Sequence, residues 1–400
     1  MRNRRYTGIQ VDKYKSPCVP VYLYACLLPT MIEIDGSLGE GGGQVLRSAL
    51  SLAALTGQAF HLTNLRARRK QPGLAPQHLT SVRAAAAVCR AEIRGAHERS
   101  LELWFSPRGH PTSGEYLFDV RDAAKGGSAG GVSLIFQTIL LPLLSAHGTS
   151  HVVLRGGTHV PWSPSFHYLK DVFLPALRRM GVEAEVQLNA WGFYPVGGGE
   201  IEATILGRKN KEEGRKGQEE EGGNMNGLAL AVERPITVKE RGELLGASGL
   251  AVAANLPSHI PQRIADRARN LLKAGGISAD LRPERVRSEG PGAGLFLTAD
   301  YQHATAGFGS LGQKGKPSEQ VAEEACRAFL DFYNYRIAAV DMHLADQLLL
   351  PCVLAPGRSE YTTSRVTQHL LTNAEVIRRF LPAKIVVEGG LEQPGLVRVN

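Results

Sequence analysis

Residues Gly36-Ser-Leu-Gly-Glu40-Gly-Gly-Gly-Gln-Val-Leu-Arg47 set one carboxylate inside a run of glycines. The segment before it, Met31 to Asp35, is apolar and β-branched, and the segment after it, Gln44 to Leu55, has the pattern of an apolar helix. Glycines between a strand and a helix let backbone N–H groups converge on an anion at the helix N-terminus. Neither familiar phosphate loop fits, because GxxxxGK[ST] is absent and a GxGxxG begun at Gly39 fails at Gln44. A carboxylate facing a phosphate repels it unless a cation lies between them, and Mg²⁺ commonly bridges one or two carboxylates to nucleotide phosphates. Two readings stay open on these residues: a site for a metal-bound triphosphate, or a flexible strand-to-helix turn with a solvated glutamate.

Charge around this segment is one-signed. No acidic residue occurs between Glu40 and Glu92, while Arg47, Arg66, Arg68, Arg69, Lys70, Arg83 and Arg90 all do. Ordinary surfaces intersperse both signs, and guanidinium forks match phosphate geometry, so this stretch points to an anionic or nucleic-acid ligand. Further along, His343-Leu-Ala-Asp346-Gln347 stands at an expected helix start and His369 at the next. Taken singly, Asp346 and Gln347 are expected to cap their helix, and His369 to be a locally bonded surface histidine. A neutral imidazole is also a competent nucleophile toward an activated phosphate, and a nearby carboxylate would fix its tautomer. Gln137 interrupts the apolar run Val132 to Leu141; a buried amide needs partners, a bound base or ribose among them. Phe193 to Gly199 reads as a tight turn into a strand over Glu200 to Leu206.

The elements that must hold these residues belong to an ordinary globular chain of 400 residues, 43% hydrophobic and 21% charged, long enough for about two to three domains of ~150 residues each. The net charge of +8 owes much to five cations against Asp12 in the first thirty residues. Those residues imitate a secretory leader, but Pro20 breaks the apolar run and no small-residue cleavage site precedes Met31, so they are expected to lie outside the fold. Cys18, Cys26, Cys89, Cys326 and Cys352 show neither CxxC nor zinc spacing, which fits a reducing cytoplasmic setting. No segment reaches the ~18 unbroken apolar residues of a membrane span.

An internal repeat orders the rest. Ile32 to Leu55, Tyr116 to Leu144 and Ile337 to Leu354 each read as strand, small-residue turn and apolar helix. Each is followed by a second helix, over Gln77 to Cys89, Pro164 to Arg179 and Val366 to Phe380, opening on Gln77-His78-Leu79, Phe166-His167-Tyr168 and Gln368-His369-Leu370. The polar stretch 207–227 reads as a solvated hairpin or loop, followed by strands over Leu228 to Val232, Ile236 to Lys239 and Gly294 to Thr298 and helices over Pro261 to Ala274 and Ser318 to Tyr333. The expected organisation is an extension (1–30), two units (31–207), a smaller inserted α+β domain (208–336) and a third unit (337–400).

From Met31 to about Val399 the chain resembles the RNA 3′-terminal phosphate cyclase family, through GEGGGQVLRSAL at 39–50, LRARRKQPGL at 65–74, QHLT at 77–80, GSAGGVSLIFQTIL at 127–140, GFYPVGGG at 192–199, HLADQL at 343–348 and QHLLTN at 368–373. The resemblance implies an α/β fold in which three two-helix, four-strand units, similar to those of enolpyruvyl transferases, form a large domain carrying a smaller insert. It implies ATP-dependent conversion of an RNA 3′-phosphate to a 2′,3′-cyclic phosphate, with release of AMP and diphosphate. By the same resemblance His369 is the adenylylated nucleophile, Glu40 holds a divalent metal (Mg²⁺ or Mn²⁺), and Gln137, Pro164, His343, Leu344, Ala345, Asp346 and Gln347 contact ATP. Arg47, Arg66, Arg69, Gln77 and His78 handle triphosphate or RNA phosphate, and His343 stands where some members carry Tyr. Two alternatives accompany it: the family's non-catalytic branch in ribosome assembly, which lacks the nucleophilic histidine, and an enolpyruvyl-type transferase, which rests on fold analogy alone.

Overall fold

The computed structural model describes residues 31–123, 128–208 and 232–400; the expectations for residues 1–30, for the polar stretch beyond 208 and for nearly all of Leu228 to Val232 lie outside them. Three four-stranded sheets repeat one pattern. The first contains Ile32–Asp35 (β1), Phe60–Thr63 (β2), Glu92–Arg94 (β3) and Leu103–Ser106 (β4), in the order β1-β2-β4-β3. The second contains Glu115–Asp119 (β5), Thr149–Gly156 (β6), Ala184–Ala190 (β7) and Gly199–Leu206 (β8), in the order β5-β6-β8-β7. In both, the first pair is parallel and the other two antiparallel.

Each parallel pair needs a crossover, and a helix supplies it. Helix α1 (Gly43–Thr56) joins β1 to β2, and α3 (Val132–Ser145) joins β5 to β6. The second helices are α2 (Pro76–Cys89) and α4, which runs through Phe166–Tyr168, a π-helical turn Leu169–Phe173 and Leu174–Arg179. Pro175 lacks the N–H that would bond back to Asp171, which accounts for the widened turn. Helix α1 is the centre of the domain. Every residue from Val45 to Leu55 except Arg47 is buried, the signature of a helix packed on all sides, and α1 meets α2, α3 and the Gln368–Phe380 helix of the third unit. Strands β6 and β8 alternate buried and exposed residues, so each sheet turns one face to these helices.

The third sheet corrects the sequence expectation. Its first strand is Thr237–Val238 (β9), parallel to Ser359–Thr363 (β14), with Ile385–Glu388 (β15) and Gly395–Val399 (β16) completing the order β9-β14-β16-β15. The third unit therefore opens before the insert rather than at Ile337, which is 67% exposed and forms no strand. A two-residue strand is too short to leave a periodic signature. The insert builds its own sheet, Asp280–Arg285 (β11), Leu244–Ala254 (β10), Gly292–Tyr301 (β12) and Thr305–Leu311 (β13) in that order, under helices Ile260–Ala274 (α5) and Ser318–Asn334 (α6). Ile264, Leu272, Leu295 and Phe329 centre its separate core. The third unit's crossover is two short helices, α7 (Met342–Gln347) and α8 (Leu349–Leu354), interrupted where Pro351 cannot donate to the carbonyl of Gln347. Helix α9 (Gln368–Phe380) completes it.

Among the described residues Cys89, Cys326 and Cys352 are free and buried, and no helix is long and apolar enough to cross a membrane. Leu50, with no exposed surface at the middle of α1, tests where the core is centred. Leu50→Ala is expected to cost about 2–5 kcal/mol, read as a lower denaturant midpoint at unchanged slope.

Candidate active site

The glycine run forms a cradle at the start of α1. No side chain caps this helix and no acidic residue lies in its first turn, which leaves its leading N–H groups to an anion. Two glycines are there because nothing larger fits. A Cβ on Gly39, whose φ is +57°, would lie 2.1 Å from Thr372 Oγ1, and one on Gly43 would lie 2.2 Å from His78 Nε2 and 2.9 Å from an Arg47 guanidinium nitrogen. Those near-collisions show how closely α9, α2 and α1 converge on the cradle.

The acid-free stretch folds over this opening. Arg68 donates to the Gly39 carbonyl (2.9 Å), Arg66 donates to the Gly73 carbonyl (2.9 Å), and Arg69 Nη2 donates to Glu40 Oε2 (3.1 Å). His78, buried at the start of α2, accepts the Ala75 N–H on Nδ1 (3.3 Å), which leaves Nε2 turned toward Gly43. Burial, with Arg66, Arg47 and Arg69 nearby, holds the His78 imidazole well below the ordinary range, so it is uncharged at neutral pH. Gln77 faces the other way and accepts the Gly131 N–H (3.0 Å), tying the cradle to the start of α3.

His369 enters from α9, whose N-cap Thr367 accepts the Leu370 N–H. Its Nε2 lies 3.4 Å from Glu40 Oε2, and 40% of the side chain is exposed, so a ligand can reach it. Burial lowers its pKa first, Arg47, Arg69 and His343 lower it further, and Glu40 opposes them; the net direction is downward. The ring is therefore neutral near pH 7. Arg47 is pushed down to about 10 by burial, against the attraction of Asp346, and remains a cation. Burial raises Asp346 to about 7, with Arg47 opposing and Asp341 adding to the rise.

Helix α7 corrects the expected cap. Its cap is Asp341, which accepts the His343 and Leu344 N–H groups (2.9 and 3.0 Å), because a cap must precede the first turn and Asp346 and Gln347 sit at the far end. Tyr168 donates its hydroxyl to the same Asp341 oxygen (2.7 Å). Leu344 and Ala345 have buried side chains, and their backbones are engaged: Leu344 by Asp341 and Leu348, Ala345 by Asp341 and the Tyr361 hydroxyl. Both pack against the core beneath His343 and Asp346. His343 is exposed and sits edge-on to the Tyr168 ring, 6.3 Å between centroids. Gln347 accepts the Gln137 amide (2.9 Å), which gives Gln137 a partner within the protein. Pro164 is half-buried and its carbonyl accepts the Ser133 hydroxyl (2.6 Å) at the start of α3.

One residue that sequence reasoning passed over joins the parts. Buried Asn373 on α9 accepts the Ser48 hydroxyl of α1 (2.7 Å) and donates to the Asp346 carbonyl of α7 (3.0 Å). A buried asparagine one turn after His369 was the available signal. Asn373→Ala would leave both partners unpaired and is expected to cost about 1–3 kcal/mol in chemical denaturation, and Asn373→Asp, which turns a carboxylate oxygen toward the Asp346 carbonyl, is expected to lose stability as well. In the metal-free protein, the His369 ring followed by NMR is expected to titrate below the ordinary 6.5; Glu40→Gln should lower it further and Arg69→Gln raise it, since each removes the opposite influence.

Among the described residues no group of three or more His, Cys, Asp or Glu side chains is arranged to hold a metal by itself. Glu40 is one carboxylate, and Mg²⁺ held by one or two carboxylates takes its remaining oxygens from water and phosphate. The donor set therefore fits an ion shared with a bound triphosphate.

Comparison with known proteins places this geometry. The family model described as RNA 3′-terminal phosphate cyclase matches residues 38–387. A protein named RNA 3′-terminal phosphate cyclase from Nostoc punctiforme is 50% identical over 357 residues, 89% of this chain and 96% of its own length. One of the same name from Methylococcus capsulatus is 48% identical over 371 residues, 93% of this chain and 97% of its own. The namesake from Archaeoglobus fulgidus is 40% identical over 361 residues, 90% of this chain and 98% of its own. With a glycine cradle, an arginine cluster and an accessible neutral histidine on three repeated units, the chain belongs to the RNA 3′-terminal phosphate cyclase family.

Proposed function

We propose that this chain is an ATP-dependent RNA 3′-terminal phosphate cyclase with His369 as its nucleophile. The observation that carries the assignment of residues is the His369–Glu40–Arg69 cluster, where an accessible neutral imidazole faces a carboxylate and a guanidinium at an uncapped helix N-terminus. Nucleotidyl transfer depends mainly on positioning and on neutralising phosphate charge.

Attack through His369 Nε2 requires the tautomer protonated on Nδ1; Glu40, 3.4 Å from Nε2, favours a proton on Nε2 until its charge is engaged by Arg69 or by a cation bound with the triphosphate. Nε2 forms a bond to the α-phosphorus of ATP as the bond to diphosphate breaks. Arg47, Arg69, Arg66 and the N–H groups of α1 take up the leaving diphosphate's charge. An oxygen of the RNA 3′-phosphate then displaces the histidine, giving a mixed anhydride with AMP and restoring the imidazole. The adjacent 2′-hydroxyl attacks the RNA phosphorus, AMP leaves, and the hydroxyl proton passes to solvent or a nearby base. A divalent metal at Glu40 would neutralise triphosphate charge during binding. Pro164, His343, Gln137, Asp346 and Gln347 are assigned to the nucleoside side, with Leu344 and Ala345 in support, and Gln77 and His78 to the cradle. Asp346 near the midpoint of its titration at neutral pH can accept or donate a hydrogen bond to bound nucleotide. Among the described residues Cys89, Cys326 and Cys352 are free and buried, which is consistent with work in a reducing cytoplasmic setting.

The non-catalytic branch of the family lacks a nucleophilic histidine, whereas His369 is present and accessible. Incubation with ATP labelled at the α-phosphorus should leave acid-labile label on the wild type and none on His369→Ala. Arg69→Ala and Glu40→Ala should label about 10²-fold more slowly or worse, as for the loss of one preorganised charge contact. A folded wild type that never labels with either Mg²⁺ or Mn²⁺ would end this proposal in favour of RNA binding without catalysis.

A further inference from the structure

Trp162 is 95% exposed and has a φ of +59°, a left-handed conformation that bulky residues rarely adopt. Folding gains almost no apolar burial from this ring and meets a backbone penalty to place it. The turn that presents it is held firmly. Prolines flank it at 161 and 164, the Ser163 hydroxyl bonds Ser133 Oγ (2.8 Å), and Ser133 donates to the Pro164 carbonyl.

The turn is also tied to the phosphate cradle. A Cβ on Gly131 would lie 2.3 Å from Ser163 Oγ, the Gly131 N–H donates to Gln77, and the next residue, His78, abuts Gly43. Trp162 thus stands beside the residue that borders this junction, with Pro164 on the nucleoside side. The basic stretch that forms the cradle offers no exposed aromatic of its own, since Phe60 is fully buried. Its arginines are engaged with the cradle: Arg68 with the Gly39 carbonyl, Arg66 with the Gly73 carbonyl and Arg69 with Glu40.

Resting on the cyclase reading above, we propose that Trp162 is a stacking platform for a base near the 3′ end of the RNA substrate. An exposed indole on a turn that is tied to the cradle through Ser163, Gly131 and Gln77 suits a nucleobase face, which stacks with little regard to sequence.

The test is steady-state kinetics on 3′-phosphorylated oligonucleotides in which each of the last three nucleotides is made abasic in turn. Trp162→Ala should raise the KM for intact RNA about tenfold and leave the KM for ATP where it was, and Trp162→Phe should recover most of the loss. At one position the abasic change should cost the wild type about tenfold and cost Trp162→Ala nothing more. An unchanged RNA KM in Trp162→Ala, a matching rise in the ATP KM, or additive losses at every abasic position would each overturn the proposal. Failure of the wild type to take up labelled AMP would be visible before RNA is added, and it would bring down the cyclase reading together with this one.

Discussion

An imidazole that must stay uncharged is held against a carboxylate, and that conflict organises the site. Glu40 alone would draw a proton onto His369 and remove the lone pair that a nucleophile needs. Partial burial and three positive or protonatable neighbours, Arg47, Arg69 and His343, oppose it, and the balance falls on the neutral side. Each of those groups arrives from a different element. Arg47 comes from α1, Arg69 from the segment before α2, His343 from α7 and His369 from α9, so the charge balance exists only when the repeated units are packed together. The all-round burial of α1 secures that packing, and Arg47 is the one residue between Val45 and Leu55 that is only partly buried, its guanidinium at the edge of the cradle.

The repeat puts a histidine at the start of three second helices and gives each a different environment. His78 is buried behind the glycine cradle and bonded to its own helix start. His167 bonds His159 (2.9 Å), stacks on Phe296 with ring centroids 5.1 Å apart, and is pushed down to about 4 by burial, with Lys170 adding to the effect. His369 combines solvent access with a carboxylate neighbour. Sequence similarity among the three starts marks their common fold; access and charge set His369, the proposed nucleophile, apart from the other two.

Much of this was legible in the residues. The glycine run, the helices α1, α2, α5, α6 and α9, and the one-signed arginine stretch all carry local signals of turn chemistry, period or charge. The rest depended on distant partners. Strand β9 has two residues and exists through its pairing with β14, more than a hundred residues later. Strand β10 is rich in glycine and alanine, and β11 is mostly charged, so neither displays β-branched alternation. The Asp341 cap was readable in principle, but it depends on where α7 begins, and element boundaries are the part of a sequence that periodicity defines least well. Leu344 and Ala345 share a motif with site residues, and only the three-dimensional arrangement shows them turned into the core.

The position of the insert follows from the same repeat. It enters between β9 and α7, the place where the other two units pass from strand through a short connection into their first helix. Because β9 is pinned to β14 and α7 is pinned by its cap, both ends of the insertion are fixed points, and a domain with its own core can fold between them without disturbing the sheet. Contact returns to the site through Asp341: one oxygen caps α7 and accepts the Tyr168 hydroxyl, and the other faces the Gly307 N–H of β13 at 3.5 Å. Helix α7 carries His343, Asp346 and Gln347. Asp341 therefore touches α4, α7 and the insert sheet at once, one of several contacts through which the smaller domain meets the large one beside the helix that carries those three side chains.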